Sequence, residues 1–355
     1  MKKIFVFFVA IFFLNLRAQY YGNSAAYVKL GLEDANTLIK AYTQPANQIL
    51  IQSLSGGQFT VFNKNGHKRL SIGLQSIYLQ APSSLRTYDL NALSLQTVEP
   101  EEPDNAEART ILGDSLKTVT IVSKKKDLFG RPLFSFESPK GSGYSGIILP
   151  YLTMNYYLGK YGVAKFGFIP LVKVPTTDLN MFMLRAGYQQ DLLQWFDWFD
   201  DEKYDLSVSL TYGYFHGYEH LNVTPEGVHV NVSMTGSHTG PYDNQKFLLD
   251  FHSVGLGTHF GWHANEILTL YAGTNLSVGS ALLQLKGRYP VYESAGGLIS
   301  VVATDIDDPL NVQASAVLFS FEGGVYFNWN SVDLRFDLHL GKFAGGQLSV
   351  GYKFL

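Results

Sequence analysis

The sequence predicts an all-β fold: an antiparallel transmembrane β-barrel of about 12–14 strands, with a short N-terminal helical plug or cap segment ahead of it. Three observations carry this. The last two stretches, 331–341 and 346–355, alternate along the chain. In the first, Val332, Leu334, Phe336, Leu338 and Leu340 share one face, and Asp333, Arg335, Asp337 and His339 share the other. A strand sends successive side chains to opposite faces, so this ribbon has one apolar and one ionised side. Runs of about ten residues with such alternation recur from Leu133 onward, the length a tilted membrane strand needs. Beyond residue 18 no apolar run approaches the roughly 20 residues of a membrane helix. Any passage through lipid is then by a closed barrel, because backbone groups there need internal partners.

Residues 1–18 read as a secretory signal: Lys2 and Lys3, an apolar run from Ile4 to Leu16, and Ala18 before a cleavage point at Gln19. Its removal takes three cations and no acids, moving the formal charge from −3 to −6. A mildly acidic chain argues against nucleic acid as a partner. The absence of Cys excludes disulfides, thiolate metal sites and a lipoprotein anchor.

In residues 19–57, Leu32, Ala35, Leu38, Ile39 and Tyr42 recur at helical spacing, with Glu33 and Asp34 suited to a helix N-terminus. Pro45 is expected to end this helix, and Gly56-Gly57 marks a break. The apolar stripe needs cover, so the segment is expected to plug the lumen or cap its periplasmic mouth. An arm that binds a partner is the other possibility.

The barrel is expected over 58–355. Its strand candidates include 68–79, 133–137, 147–158, 162–174, 181–190, 204–216, 227–235, 247–262, 267–278, 282–288 and 314–329. Residues 99–126 form a long polar excursion with two prolines and mixed charge, expected outside the cell because barrels keep their long loops there. In 314–329, Val317, Phe319, Phe321, Val325, Phe327 and Trp329 are expected to look outward, opposite Ser320, Glu322, Gly324 and Asn328. In 247–262 the outward set is Val254, Leu256, Phe260 and Trp262, opposite Gly255, Gly257, His259 and Gly261.

This parity nominates Lys165, Lys173, Arg185, Glu322, Asp333, Arg335, Asp337 and His339 as the lumen lining. They would form either a selectivity lining or an ion-pair network that holds a narrow barrel together. Trp195, Phe196, Trp198 and Phe199, in a stretch of helical spacing, join Tyr352 and Phe354 as a membrane-interface belt.

No catalytic set, cofactor or metal site is expected. His216, Glu219 and His220 match an H-x-x-E-H peptidase pattern, but that chemistry needs a helix, and on a strand Glu219 faces away from both histidines. A lipid-hydrolase arrangement using His252, His259, His263 or His339 needs a geometry that spacing does not supply.

Three motifs resemble an uncharacterised outer-membrane barrel family common in Bacteroidetes. They are Asp34-Ala35-x-x-Leu38-x-x-Ala41-Tyr42-x-x-Pro45, Thr110-Ile111-Leu112-Gly113-Asp114, and Gly187-x-x-Gln190-Asp191-x-x-x-Gln194-Trp195. The resemblance spans nearly the whole mature chain and implies outer-membrane location without an assigned activity. A barrel behind an N-terminal plug is also distantly similar to the long-chain fatty-acid transporters, although Gln44 stands before Pro45-Ala46 where that family has Asn-Pro-Ala. The expected role is passive passage of small or hydrophobic solutes. The alternatives are a non-transporting binding or scaffold barrel, using the 99–126 loop or the Trp195–Phe199 patch, and a lipid hydrolase. Expected partners are outer-membrane lipid and lipopolysaccharide, and the barrel-assembly machinery through the C-terminal strand, with the protein a monomer.

Overall fold

The structure is a computed structural model that describes residues 22–57, 59–62, 69–173, 179–195, 203–294 and 300–354. The expected signal stretch 1–18 lies outside the described residues.

Among the described residues ten strands close into one barrel, every pair antiparallel. They are β1 (Leu70–Gln80), β2 (Gly146–Leu158), β3 (Gly162–Lys173), β4 (Leu179–Asp191) and β5 (Tyr204–His220). β6 (Lys246–His263), β7 (Leu268–Lys286), β8 (Leu310–Trp329), β9 (Val332–Gly341) and β10 (Ala344–Phe354) complete the meander. β1 and β10 close the seam, with Leu70 opposite Phe354. The count of ten corrects the expected 12–14, for a physical reason. Alternation marks any ribbon with one covered face, and 133–137 and 227–235 belong to small sheets outside the barrel, while 282–286 merely continues β7.

The outward face locates the membrane. On β6 it carries Val254, Leu256, Phe260 and Trp262, over about the 9–11 residues a tilted membrane strand needs. Val254, Val278 and Val317 lie side by side across β6, β7 and β8, and the next outward row is His252, Ser280 and Ser315. That step from valine to polar residues marks one edge of the apolar band. Trp262, Trp329, Tyr352 and Phe354, all exposed, mark the other, as interfacial aromatics do.

The two ends of the barrel differ. Residues 159–161, 264–267 and 330–331 turn tightly at the end where β1 starts and β10 finishes. At the opposite end, residues 81–145, 221–245, 287–294 and 300–309 fold into a cap. One sheet orders Val228–Val230, Phe134–Glu137, Thr120–Ser123 and Val98–Pro100; another orders Met234–Gly236, Val301–Asp307 and Arg288–Ser294. The 99–126 excursion is thus part of a folded unit rather than a plain loop.

Helix α1 (Leu32–Ser55) runs from the cap into the lumen. Pro45 lies inside it, which corrects the expectation that it ends there. An interior proline costs about 3 kcal/mol or more, and here burial along the whole second half of the helix outweighs it. The Thr43 hydroxyl also donates to the Ile39 carbonyl at 2.8 Å, one turn back. The path can be followed on β6: Ser253 donates to the Ile51 carbonyl (2.8 Å), Gly255 lies under Ser55, and Gly261 lies under Phe59. Beyond the helix the chain leaves regular structure, and Phe62 lies against Tyr157 and Val163 beside the tight turns. The N-terminal segment therefore enters from the cap side and leaves at the other end. One hydrophobic core joins α1 (Leu38, Ile39, Tyr42), the cap (Phe134, Phe136, Tyr289) and the barrel interior (Phe247, Phe251).

The wall makes room for α1 with small residues: Gly213, Ser253, Gly279 and Ala316 form one row across β5 to β8. A Cβ on Gly213 would stand 2.5 Å from the Leu54 carbonyl oxygen, which is backbone and cannot rotate away. Gly213→Ala is expected to cost about 1–3 kcal/mol. A lower conversion temperature in a heat-modifiability gel would register it, whereas Gly323→Ala, whose Cβ meets an ordinary 3.6 Å contact, should leave that temperature unchanged.

Candidate functional site

The buried polar residues of the lumen meet at the segment that follows α1. Backbone away from water must find a partner for each N–H and C=O. Here the barrel wall supplies partners for four carbonyls and two N–H groups. The Arg185 guanidinium donates to the Gly56 carbonyl at 2.7 Å. The Gly57 N–H donates to Glu322 at 3.0 Å, and the Gly57 carbonyl accepts from Arg335 at 3.2 Å and Gln347 at 3.4 Å. Arg335 also donates to the Phe59 carbonyl. Gln189 reads Thr60 as a neighbouring strand would, accepting from its N–H at 3.1 Å and donating to its carbonyl at 3.0 Å. Gly57 sits at φ 68°, and a Cβ there would lie 1.9 Å from the Gln347 Oε1, so only glycine fits this clasp.

Around this backbone the side chains pair with one another. Arg335 meets Asp337 at 3.1 Å, and Gln347 donates to Asp337 at 2.5 Å. Glu322 lies between two histidines, 3.3 Å from His259 and 3.4 Å from His339. Arg185 stacks over the Tyr151 ring, 4.8 Å from its centroid, and donates to its hydroxyl. Lys165 donates to Gln189, and Ser71 to Asp333 at 3.3 Å. Three cations, Lys165, Arg185 and Arg335, thus face three carboxylates, Glu322, Asp333 and Asp337, all buried. Phe59 completes the packing, stacked on Tyr271 at 4.1 Å. The space beside the clasp, lined by Thr60, Gln75, Lys165, Asp333 and Arg335 among others, is a cavity of about 30 Å³.

Seven of the eight lining residues read from parity therefore lie inward and around one backbone segment. Lys173 does not: a bulge between Ile169 and Val172 shifts the parity of β3, so Val172 turns inward and Lys173 lies exposed at the strand end. Gln75, Tyr151, Gln189 and Gln347 are inward lining that the nominated set leaves out, although the same parity places them there, and His259 lies inward as its strand's alternation predicts. In the belt, Tyr352 and Phe354 lie outward with ring centroids 5.0 Å apart, and Trp195 is exposed at the end of a short turn, Leu193–Trp195. Phe196, Trp198 and Phe199 lie outside the described residues.

The remaining histidines scatter. His216 and His220 face outward while Glu219 is buried on the inner face. His252 bonds Tyr212 (2.7 Å), and His263 lies 3.1 Å from Asp205 and 2.8 Å from Thr269. Among the described residues no group of three His, Cys, Asp or Glu is placed to hold a metal ion.

A family model of unknown function, DUF6588, matches residues 1–354. The chain belongs to this family. No curated protein matches it. Among solved structures, the outer membrane protease OmpT from Escherichia coli is similar over 84% of this chain and 99% of its own, at 6% identity and TM-score 0.32. The translocator domain of autotransporter NalP from Neisseria meningitidis covers 93% of this chain and 100% of its own, at 12% identity and TM-score 0.27. A Pseudomonas aeruginosa FadL homologue covers 85% of this chain and 97% of its own, at 9% identity and TM-score 0.25. Likeness this faint carries no argument about activity, and for this DUF6588 member the barrel is read from its own closed strand order.

The cap has its own electrostatic anchor. Asp305 accepts from the Thr239 N–H (2.8 Å), the Gly240 N–H (3.0 Å) and the Tyr242 hydroxyl (2.8 Å), with His238 at 2.9 Å. Burial pushes the Asp305 carboxyl up, and these bonds outweigh it, holding it well below the usual carboxylate range. Burial, then the bond to Asp305 and its charge, push Tyr242 up to about 12.

Truncating Arg335 would leave the Gly57 and Phe59 carbonyls and Asp337 short of a buried partner at once. Arg335→Ala should cost about 3–5 kcal/mol, the range for breaking one side of a buried ion pair. Denaturant unfolding followed by tryptophan fluorescence measures it, and a cost under about 1 kcal/mol would mean that the clasp bears no load.

Proposed function

We propose that this DUF6588 member is an outer-membrane barrel sealed by its own N-terminal segment, and that its work is binding at the cap rather than conduction. The observation that carries the reading is the single hydrophobic core running from cap through α1 into the barrel, continued below by the clasp. A conduit needs an aqueous path through this region, and opening one would break buried charge pairs and expose that core together. Between the two main roles the sequence allows, a solute channel and a non-transporting binding barrel, the geometry favours the second.

The cap also presents what a binding surface needs. Leu128 and Phe129 are 85% and 83% exposed at the tip of a loop. Asp127 holds that loop by accepting from the N–H groups of Phe129 (2.9 Å) and Arg131 (2.8 Å) and pairing with the Arg131 guanidinium at 2.8 Å. Large apolar side chains held rigidly in water mark a contact site. The polar rim comes from Lys125, Lys126 and Arg131. Lipopolysaccharide around the barrel, assembly through the C-terminal strand and a monomeric state belong to the same proposal.

Planar-bilayer recording tests the seal: the full-length protein should insert without steady conductance. A stable open channel from the intact chain would overturn the reading. For the cap, a partner cross-linked to the protein on cells should be lost from Leu128→Ser/Phe129→Ser and kept by Leu116→Ser, an 86% exposed leucine on another loop.

A further inference from the structure

A barrel with an even number of strands returns the chain to the side where it began. Here Leu70 and Phe354 are paired neighbours at the tight-turn end. Ahead of Leu70, however, the chain makes one more crossing inside the barrel. Phe62 lies beside the tight turns against Tyr157 and Val163, Gly57 lies at mid-height on Glu322, and Leu32 begins α1 among the cap residues. A 24-residue helix is about 36 Å long at 1.5 Å per residue, more than the thickness of a bilayer's hydrocarbon core.

The upper part of this segment is not separable from the cap. Asp34, one of two acids in the first helical turn, accepts from the N–H groups of Gln96 (2.6 Å), Thr97 (2.7 Å) and Val98 (3.1 Å). The Tyr42 carbonyl accepts from the Ile111 N–H at 2.9 Å, and the Tyr42 hydroxyl donates to the Lys140 carbonyl at 2.8 Å. Lys29 donates to the Glu226 carbonyl at 2.6 Å. Residues 29–42 are therefore the floor on which two separate stretches of the cap, 81–145 and 221–245, fold, and floor and cap must share one side of the membrane.

We propose that the N-terminal segment crosses the membrane inside its own barrel, so that residues 29–42 stand with the cap on the cell-surface side. The side follows from the loops: barrels keep short turns in the periplasm and long segments outside. This rests on the outer-membrane reading above. It has a consequence for the surface itself. The open recess bounded by Ala26, Lys29, Phe136, Ser138, His220 and Asn222, about 710 Å³, becomes an external site built partly from the N-terminal segment. It also means that the β1–β10 seam closes around a segment already in place, because a folded cap cannot be drawn through a lumen that α1 fills.

The chain has no cysteine, so single substitutions report cleanly. Glu33, Glu102 and Lys160 are exposed, in α1, the cap and a tight turn respectively. Each is replaced by Cys in the full-length protein and treated on intact cells with a membrane-impermeant maleimide. Glu33→Cys and Glu102→Cys should react on intact cells, and Lys160→Cys only after lysis. Protection of Glu33→Cys while Glu102→Cys reacts would overturn the threading. Reaction of Lys160→Cys alone would overturn the orientation. If all three stay protected until lysis, the outer-membrane reading itself fails and this inference with it. Heat-modifiability of each variant confirms that the barrel under test is folded.

Discussion

The structure depends on one constraint: a peptide outside any helix or sheet is held where water is scarce, so its polar groups must be met by the wall. The carbonyls of Gly56, Gly57, Phe59 and Thr60, and the N–H groups of Gly57 and Thr60, have no partner in a helix or sheet of their own. A bare buried carbonyl or amide costs about 1–3 kcal/mol, so an unclasped segment would not stay in the lumen. Ionised groups make the strongest available partners. They need each other in turn, which is why three cations and three carboxylates gather around this one segment. The charge inside this barrel is thereby explained by the peptide it holds, with no need for a permeating ion.

Above that level the design changes from charge to packing. α1 fills the lumen against a wall of Gly, Ser and Ala, and its upper half becomes the centre of the cap core. Strands β5 to β8 run past the outward row of Val254, Val278 and Val317, so their upper ends stand outside the apolar band and support the cap. Cap, helix and clasp are consecutive parts of one column. A force or ligand acting on the cap has a direct path, through a single helix, to the peptide in the lumen.

Much of this was legible in the sequence. Period-two alternation identified the inner and outer faces of β6, β8 and β9 correctly, and Glu322, Asp333, Arg335, Asp337 and His339 followed from parity alone. Parity fails where the backbone inserts a residue, and the bulge in β3 carried Lys173 out of the lining. Alternation also cannot tell a barrel strand from a strand of a small cap sheet, which is how 133–137 and 227–235 inflated the strand count. Pro45 was read by its local cost, which tertiary burial overrides. What the inner charges hold was not legible at all. Their partners are backbone atoms, which carry no residue identity, and only Gly56-Gly57 hinted at a close approach.

The central claim is that the N-terminal segment occupies the lumen and lies along the wall in this register. The Ser55 hydroxyl is 2.8 Å from that of Ser277 on β7, although the two are far apart in the chain. In the cysteine-free protein, Ser55→Cys/Ser277→Cys tests that contact directly by disulfide cross-linking, whose geometric demands are strict. The account predicts that mild oxidation of the folded protein joins the pair and locks the plug, visible as an altered mobility that reduction reverses. Two free thiols in a fully formed, heat-modifiable barrel would contradict it.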